Sequence, residues 1–523
     1  GNQQREPARD ARRAEADPLG GPLHGTDGPI PIHRVDPSDF DPVERAVVAA
    51  SEALGFAWQA DLNGAPAQQP GIGPTPRNIA EGGRMHAAHT YLAAVRQRPN
   101  LSIIPDTLVD TVCFASGHAT GVRTVDGREI QGRQVVLCAG AYGSPAILLR
   151  SGIGPAGDLE ELGIPVIAHR PGVGTHLLDH PTLVYANEDY FGTFRVKPEF
   201  APPAVSTIPT LIKARSSQAA DEVDFYVIHG QQPGDVEGEW LAWFLINLET
   251  APSCGSVRLT DSDPNAPLDI DHAYLSEISE VEACCDGIEL IDRLVNTRPL
   301  ADTIDPLPER VPRWSSRDDL RAWVRAEAST TYHPSSTCRM GRADDPLAVV
   351  DASGRVYGVA GLYVADASIF PTSPRANLHC TVVAVAEKLA AKARIFPKKP
   401  VLGTFLVMFV IINVSYFAYG GWFWAIKASG LATSVACPWP YPEAKVYDPQ
   451  GFYRANGAEG PYSVGKWATW QQGPNTSSLH TAASSERPVQ MVGCTQLPWA
   501  RAPGIAGTPP PVTTVAPCSR AFW

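Results

Sequence analysis

Gln134-Val-Val-Leu-Cys-Ala-Gly140-Ala-Tyr-Gly-Ser-Pro-Ala-Ile-Leu-Leu-Arg150-Ser-Gly-Ile-Gly154 is the stretch that decides the fold of this chain. Its first six residues form a nearly continuous apolar run, the pattern of a strand buried on both faces of a parallel sheet. Gly140 ends the run. Ser144–Arg150 then reads as a helical turn or two, stopped at Ser151-Gly152. Glycines placed after a buried strand let a backbone approach a ligand closely. A plain strand-to-helix packing turn is the competing reading. The same logic recurs downstream, where Leu362–Ala365 runs into Asp366 and a helix follows from Cys380 to Arg394. That helix carries Val382, Val385, Ala386 and Leu389 on one face. The two units are expected to belong to one sheet interrupted by a middle segment.

Working outward, Leu101–Ile104, Val109–Phe114 and Ala119–Val125 read as short strands, and residues 43–54 as a helix. Trp240–Leu248 and Ser256–Thr260 suggest strands of a second, more antiparallel sheet. Ile278–Thr297 and Arg317–Ala328 read as helices, the latter capped by Ser315 or Ser316. Residues 1–20 are polar and rich in Arg, Asp and Glu, and are expected to be a disordered start. At 397 the composition changes. Val401–Ile426 carries no formal charge, which is long enough for a bilayer crossing of about 20 residues. Tyr416, Phe417, Tyr419, Trp422, Phe423 and Trp424 cluster at one end like an interfacial belt, and Lys398 and Lys399 precede it. The competing reading is a translated extension foreign to the rest. Residues 429–523 are rich in Pro, Ser, Gly and Thr and are expected to be mostly disordered. A cytoplasmic or membrane-associated location follows.

The net charge of −12, without a long basic run, excludes a nucleic-acid binder. The ten cysteines show no Cys-x-x-Cys pair, no zinc spacing and no disulfide framework. Gly152-Ile-Gly-Pro-Ala-Gly157 fits Gly-x-Gly-x-x-Gly, but it follows a helix rather than a strand. Pro155 also lacks the donor that a phosphate loop needs there. It is not a dinucleotide loop.

The chemistry concentrates at Tyr332-His-Pro-Ser-Ser-Thr-Cys-Arg-Met-Gly341 and Arg375-Ala-Asn-Leu-His-Cys-Thr381. Oxidising an alcohol means taking a proton from oxygen and a hydride from carbon. A neutral imidazole with a pKa near ~6.5 suits the first task, so His333 is the candidate base. A structural histidine is the alternative.

These segments together resemble the glucose–methanol–choline (GMC) family of flavin oxidoreductases. Residues 140–154 match a family signature. Leu23-His-Gly-Thr-Asp-Gly-Pro29, Arg98-Pro-Asn-Leu101, Ala119-Thr-Gly-Val122, Pro171-Gly-Val-Gly174 and Leu178-Asp-His180 fall in family order, so the resemblance spans roughly residues 20–395. It implies α/β plus α+β architecture: an FAD/NAD(P)-binding Rossmann-like domain, incomplete here, with an inserted substrate domain on an antiparallel sheet. Residues 21–181 would be the partial FAD-binding domain with cap elements and 182–330 the substrate domain. Residues 331–396 would complete the FAD domain, and a hydrophobic helix would lie within 397–428 before the tail.

The resemblance implies FAD and a small-molecule alcohol, as in a choline dehydrogenase-like alcohol oxidase or dehydrogenase. Hydride would pass to flavin N5, and oxygen, a quinone or a carrier protein would be the electron acceptor. It places the active-site base at His333. Asn377 falls at a second position that the family fills with His or Asn, and His379, two residues on, is the competitor. Val109 would touch adenine by its main chain, with Ala139 and Gly140 lining the same side. Asp366 and Ala367 would approach the pyrophosphate and ribityl chain by their backbone, unless Asp366 only caps a helix. Thr381 would open a helix whose N-terminus faces the flavin. Arg84 falls where the family has Arg-Ser, with Met85 in place of the Ser. The family's opening strand, Gly-x-Gly-x-x-Gly turn and helix are not found upstream of Gly21. A chain without flavin binding or activity is therefore the second expectation, and a non-redox, hydroxynitrile lyase-like member the third.

Overall fold

The structure, a computed structural model, describes residues 12–64, 69–80, 83–187, 192–203, 207–220, 222–234 and 236–392. Its largest sheet is built on Trp240–Leu248, apolar at almost every position. Alternation sends successive side chains to opposite faces. Ala242, Phe244, Ile246 and Leu248 pack on one side, while Trp243 and Leu245 meet Leu62, Leu211, Tyr226 and Ile228 on the other. Antiparallel neighbours continue from it through Phe225–Pro233 and Thr207–Ala214 to Gly71–Pro74. On its other edge it pairs with both Phe194–Val196 and Pro181–Val184. Those strands in turn pair with Ile304–Pro306 and Ser329–Thr330.

Three helices cover the first face. Helix α1 (Pro42–Ala53) starts at Asp41, whose carboxylate accepts from the Glu44 N–H at 2.9 Å, with Pro42 preset for the first helical position. Helix α2 (Gly140–Arg150) belongs to the second unit described below. Helix α3 (Ile278–Val295) opens with a reciprocal Glu277–Glu280 capping box. Gly287 lets α3 approach the sheet: a Cβ there would lie 2.9 Å from Ile246 Cδ1. Helix α4 (Arg317–Glu327) is capped by Ser316, which accepts from the Asp319 N–H, and it packs on α3.

The second unit is organised as the sequence suggested. Val135–Leu137 pairs in parallel with Leu362–Val364, in register Val135 to Leu362. A meander of Val109–Ala115, His118–Thr124 and Glu129–Gln131 stands beside this pair. Helix α2 begins at Gly140, earlier than expected, because Gly140 takes φ +72° and turns the chain directly off the strand end. Its Ile147, Leu148 and Leu149 share a core with Val135, Leu137, Val364 and Leu389. Leu389 belongs to helix α5 (Leu378–Lys392), which starts two residues before the expected Cys380.

Several expectations are corrected. Residues 12–20 are ordered: Glu15–Ala16 pairs in parallel with Ile30–Pro31, and Ala14 is buried. The polarity that suggested disorder is used internally. Buried Asp17 accepts twice from Arg34, at 2.7 and 2.8 Å, and its partner lies too far along the chain for local composition to reveal it. Leu101–Ile104 forms no strand, since no neighbouring strand pairs with it. Ser256–Leu259 pairs with Leu268–Asp271 in a separate hairpin that packs on α2, not in the large sheet. Helix α1 and Gly71–Pro74, within the expected FAD-binding and cap region, pack on the large sheet. Among the described residues no helix is long and apolar enough to cross a membrane. The expected crossing at 401–426 and the tail at 429–523 lie outside the described residues.

Candidate active site

His333 lies between the two units, 3% exposed. Pro334 follows it and disfavours a helical backbone at His333. Tyr332 (φ +63°) and Ser336 (φ +71°) adopt left-handed conformations that cost non-glycine residues energy. The surroundings hold them there. Leu178 and Ser335 exchange both backbone hydrogen bonds, and the Thr331 N–H donates to the His180 carbonyl.

Asp179 is the hub of this loop. Its Oδ1 accepts from the His180 N–H at 2.8 Å and the His333 N–H at 2.9 Å. Its Oδ2 accepts from Thr330 Oγ1 at 2.7 Å and from the Tyr274 hydroxyl. One carboxylate thus fixes the backbone of both histidines.

The side chains form a chain of contacts. Asn377 Nδ2 faces His333 Nε2 at 3.3 Å, and His333 Nδ1 lies 2.9 Å from His180 Nδ1. His180 Nδ1 is also 3.2 Å from Glu249 Oε2, and its Nε2 is 2.9 Å from Ser373 Oγ. The Glu249 contact is close but poorly directed, so the carboxyl oxygens complete no hydrogen bond. Burial, followed by the neighbouring His180, holds His333 well below the ordinary imidazole pKa. Burial pushes His180 down to about 4 and Glu249 up to about 8. All three are therefore predominantly uncharged at neutral pH.

Of the three candidates for the chemistry, His333 and Asn377 are brought together. His379 is not: on the first turn of α5 it turns towards Arg84 and His86, and its Nε2 is buried without a hydrogen-bond partner. Ala139, Gly140, Asp366 and Ala367 gather at the carboxyl ends of the two parallel strands, where α/β sheets bind ligands. The Asp366 side chain is committed internally. It accepts from the Gly140 N–H at 2.9 Å, from Ser144 Oγ, and from both the N–H and Oγ of Ser368. Only its backbone remains for a cofactor. Thr381 lies in the first turn of α5. Val109 opens a strand tied to the far end of α2 by Arg150–Asp110 and Ser151–Val112 contacts.

The residues present fit part of an FAD site. Buried polar atoms without partners, His86 Nε2, His89 Nδ1 and His379 Nε2, cluster on the 84–91 segment and the start of α5. Half-buried Arg84 and the α5 N-terminus add positive character suited to an anionic group. Among the described residues no glycine-rich strand–turn–helix accompanies them to hold a pyrophosphate.

Sequence reasoning missed Asp179, His180, Glu249, Tyr274 and Ser373. Leu178-Asp-His180 was visible as a motif but carried no role. Glu249 had a signal: an acidic residue directly after a buried apolar strand, where an unpaired charge is almost never tolerated.

Known proteins agree with this architecture. A GMC oxidoreductase N-terminal profile matches residues 9–182 and its C-terminal counterpart residues 251–386. A spirocyclase AveC-like profile matches residues 381–447, largely outside the described part. The 5-(hydroxymethyl)furfural oxidase of Methylovorus sp. is 38% identical over 396 residues, 71% of each chain. An oxygen-dependent choline dehydrogenase of Yersinia pseudotuberculosis is 33% identical, over 73% of this chain and 72% of its own. The pyridoxine 4-oxidase structure from Mesorbium loti superposes with a TM-score of 0.65 at 30% identity, covering 74% of this chain and 76% of that one. Formate oxidase of Aspergillus oryzae shares the fold at a TM-score of 0.64 and 22% identity, over 74% of this chain and 77% of its own.

A parallel strand pair, an antiparallel sheet beside it and a buried imidazole where they meet are the architecture of this oxidoreductase family. The chain belongs to the GMC oxidoreductase family.

Proposed function

We propose that this chain oxidises the hydroxyl-bearing carbon of a small alcohol, with His333 taking the hydroxyl proton and Asn377 orienting the substrate oxygen. The observation that carries this is the 3.3 Å approach of Asn377 Nδ2 to Nε2 of a buried, uncharged His333. An uncharged imidazole has a lone pair ready to accept a proton, and an amide donor beside it can hold the oxygen that gives the proton up. Asp179 fixes the His333 backbone, so the ring needs little reorganisation during reaction.

Ala139, Gly140, the Asp366–Ala367 backbone and Thr381 are assigned to the cofactor, with Val109 towards its adenine end. Their grouping at the strand ends and the α5 N-terminus supports all but Val109, which rests on family order alone. FAD, when bound, supplies a two-electron acceptor for the substrate hydrogen.

The test is His333→Asn in the full chain reconstituted with FAD. Turnover should fall by about 10²–10⁴-fold with flavin content retained. A variant that keeps its turnover would sink the assignment, and a parent protein that stays colourless with FAD would sink the whole reading.

A further inference from the structure

Behind His333, on the side away from Asn377, lies a second buried imidazole and behind that a buried carboxyl group. His180 Nδ1 touches both His333 Nδ1, at 2.9 Å, and Glu249 Oε2, at 3.2 Å. Two ring nitrogens facing each other at that distance share one proton: one must donate and the other accept. Which one donates fixes the tautomer of both rings.

Two neighbours indicate the arrangement. The Pro374 backbone raises the His180 pKa from beside the ring, as an acceptor does, and adjoining Ser373 Oγ lies 2.9 Å from Nε2, where a hydroxyl oxygen can take a ring hydrogen. With its hydrogen on Nε2, His180 offers a bare Nδ1. His333 must then carry its hydrogen on Nδ1 and leave Nε2 bare, which is the nitrogen facing the Asn377 amide. That is the tautomer a base needs.

We propose that Glu249, acting through His180, selects the ring nitrogen of His333 that is free to accept the substrate proton. As a carboxylic acid Glu249 leaves a lone pair on His180 Nδ1 undisturbed. As a carboxylate it draws a hydrogen onto that nitrogen. His333 Nδ1 then has to accept, its hydrogen moves to Nε2, and the base is blocked. No atom is gained or lost in the exchange except the proton that Glu249 releases. Glu249 is a positioning residue, and this role rests on the reading of His333 as the base.

The groups facing Glu249 are few. His180 comes from the segment before Pro181–Val184, Lys213 from Thr207–Ala214 and Tyr226 from Phe225–Pro233. His333 and Asp179 lie beyond His180, and Asp61 lies beyond Lys213. Lys213 opposes the effect of burial, yet Glu249 is still pushed up to about 8. The switch therefore falls at mildly alkaline pH, and the site is competent below it.

The test uses the full chain labelled with 15N-histidine, with the His333 signals identified by their loss in His333→Asn. In the parent, His333 should be protonated at Nδ1 at about pH 7 and at Nε2 by about pH 9.5. In Glu249→Gln, whose amide N–H can donate at any pH, it should stay protonated at Nδ1 throughout. With FAD bound, kcat/KM of the parent should fall about tenfold per pH unit above the break, and that fall should be absent in Glu249→Gln. A parent whose His333 keeps one tautomer over the range overturns the proposal, as does a folded Glu249→Gln that still switches. If Glu249→Gln does not fold, the parent titration alone decides. If His333→Asn retains turnover, the assignment of the base has failed, while the tautomer measurement stands independently.

Discussion

Replacing Asp179 separates two things a buried carboxylate can do. Asp179→Ala removes the acceptor for four donors at once. The hydroxyls of Tyr274 and Thr330 can rotate towards other acceptors. The N–H groups of His180 and His333 cannot, because their direction is set by the backbone, and both residues are buried. Each orphaned donor costs about 1–3 kcal/mol, so the alanine variant should lose about 2–6 kcal/mol. Asp179→Asn keeps one oxygen for the two N–H groups and presents its amide to the hydroxyls, which accept as readily as they donate, so it should lose only about 1 kcal/mol. Denaturant unfolding of the three proteins measures the difference. Turnover should follow the same order. Asp179→Ala frees the His333 backbone, and a displacement of about 1 Å in a reacting group can cost about 10²-fold in rate. If the alanine and asparagine variants unfold within about 0.5 kcal/mol of each other, the two N–H groups do not depend on Asp179 and the reasoning fails.

Helix α1, packed on the large sheet, carries a second pH-sensitive acid. Burial pushes Glu44 from 4.5 up to about 8. The folded chain therefore keeps a proton that the unfolded chain gives up above about 4.5, and stability falls as pH rises through that window. At 1.36 kcal/mol per pH unit the loss approaches about 5 kcal/mol. Glu44→Gln should match the parent near pH 4.5 and exceed it by several kcal/mol above pH 8; parallel unfolding curves across pH would contradict this. For the orienting group, Asn377→Ala should lower kcat by about tenfold or more, whereas His379→Ala should affect flavin retention more than kcat. The reverse pattern would move the orienting role to His379.

Periodicity located the longer helices and the parallel strand pair, but of the eight strands in the large sheet only Trp240–Leu248. Val135–Leu137 and Leu362–Val364 were legible because a strand buried on both faces must be apolar throughout. Helices α1, α3 and α4 were legible as helical stretches, α4 with its Ser316 cap. What escaped was anything decided by a partner far along the chain. Residues 12–20 fold because Arg34 neutralises Asp17, and Ser256–Leu259 leaves the large sheet for Leu268–Asp271. The site divides the same way. His333 and Asn377 lie in short recognisable motifs. Asp179, Glu249 and Tyr274 acquire their roles only when four separate segments meet around one loop.

The bond from the Gly140 N–H to Asp366 joins positions 226 residues apart. Loop closure grows by only about 0.6 kcal/mol per doubling of length, so this separation matters less to equilibrium than to timing. At a synthesis rate of about 5–20 residues per second, Val135–Leu137 waits roughly 10–45 seconds for its partner strand to be made. Phe225–Pro233 and Trp240–Leu248, close neighbours in sequence, can pair well before then. Until synthesis reaches Val364, the apolar strand next to the site has an open edge. Expression yield should therefore depend on how well chaperones shield that edge, independently of how stable the finished enzyme is.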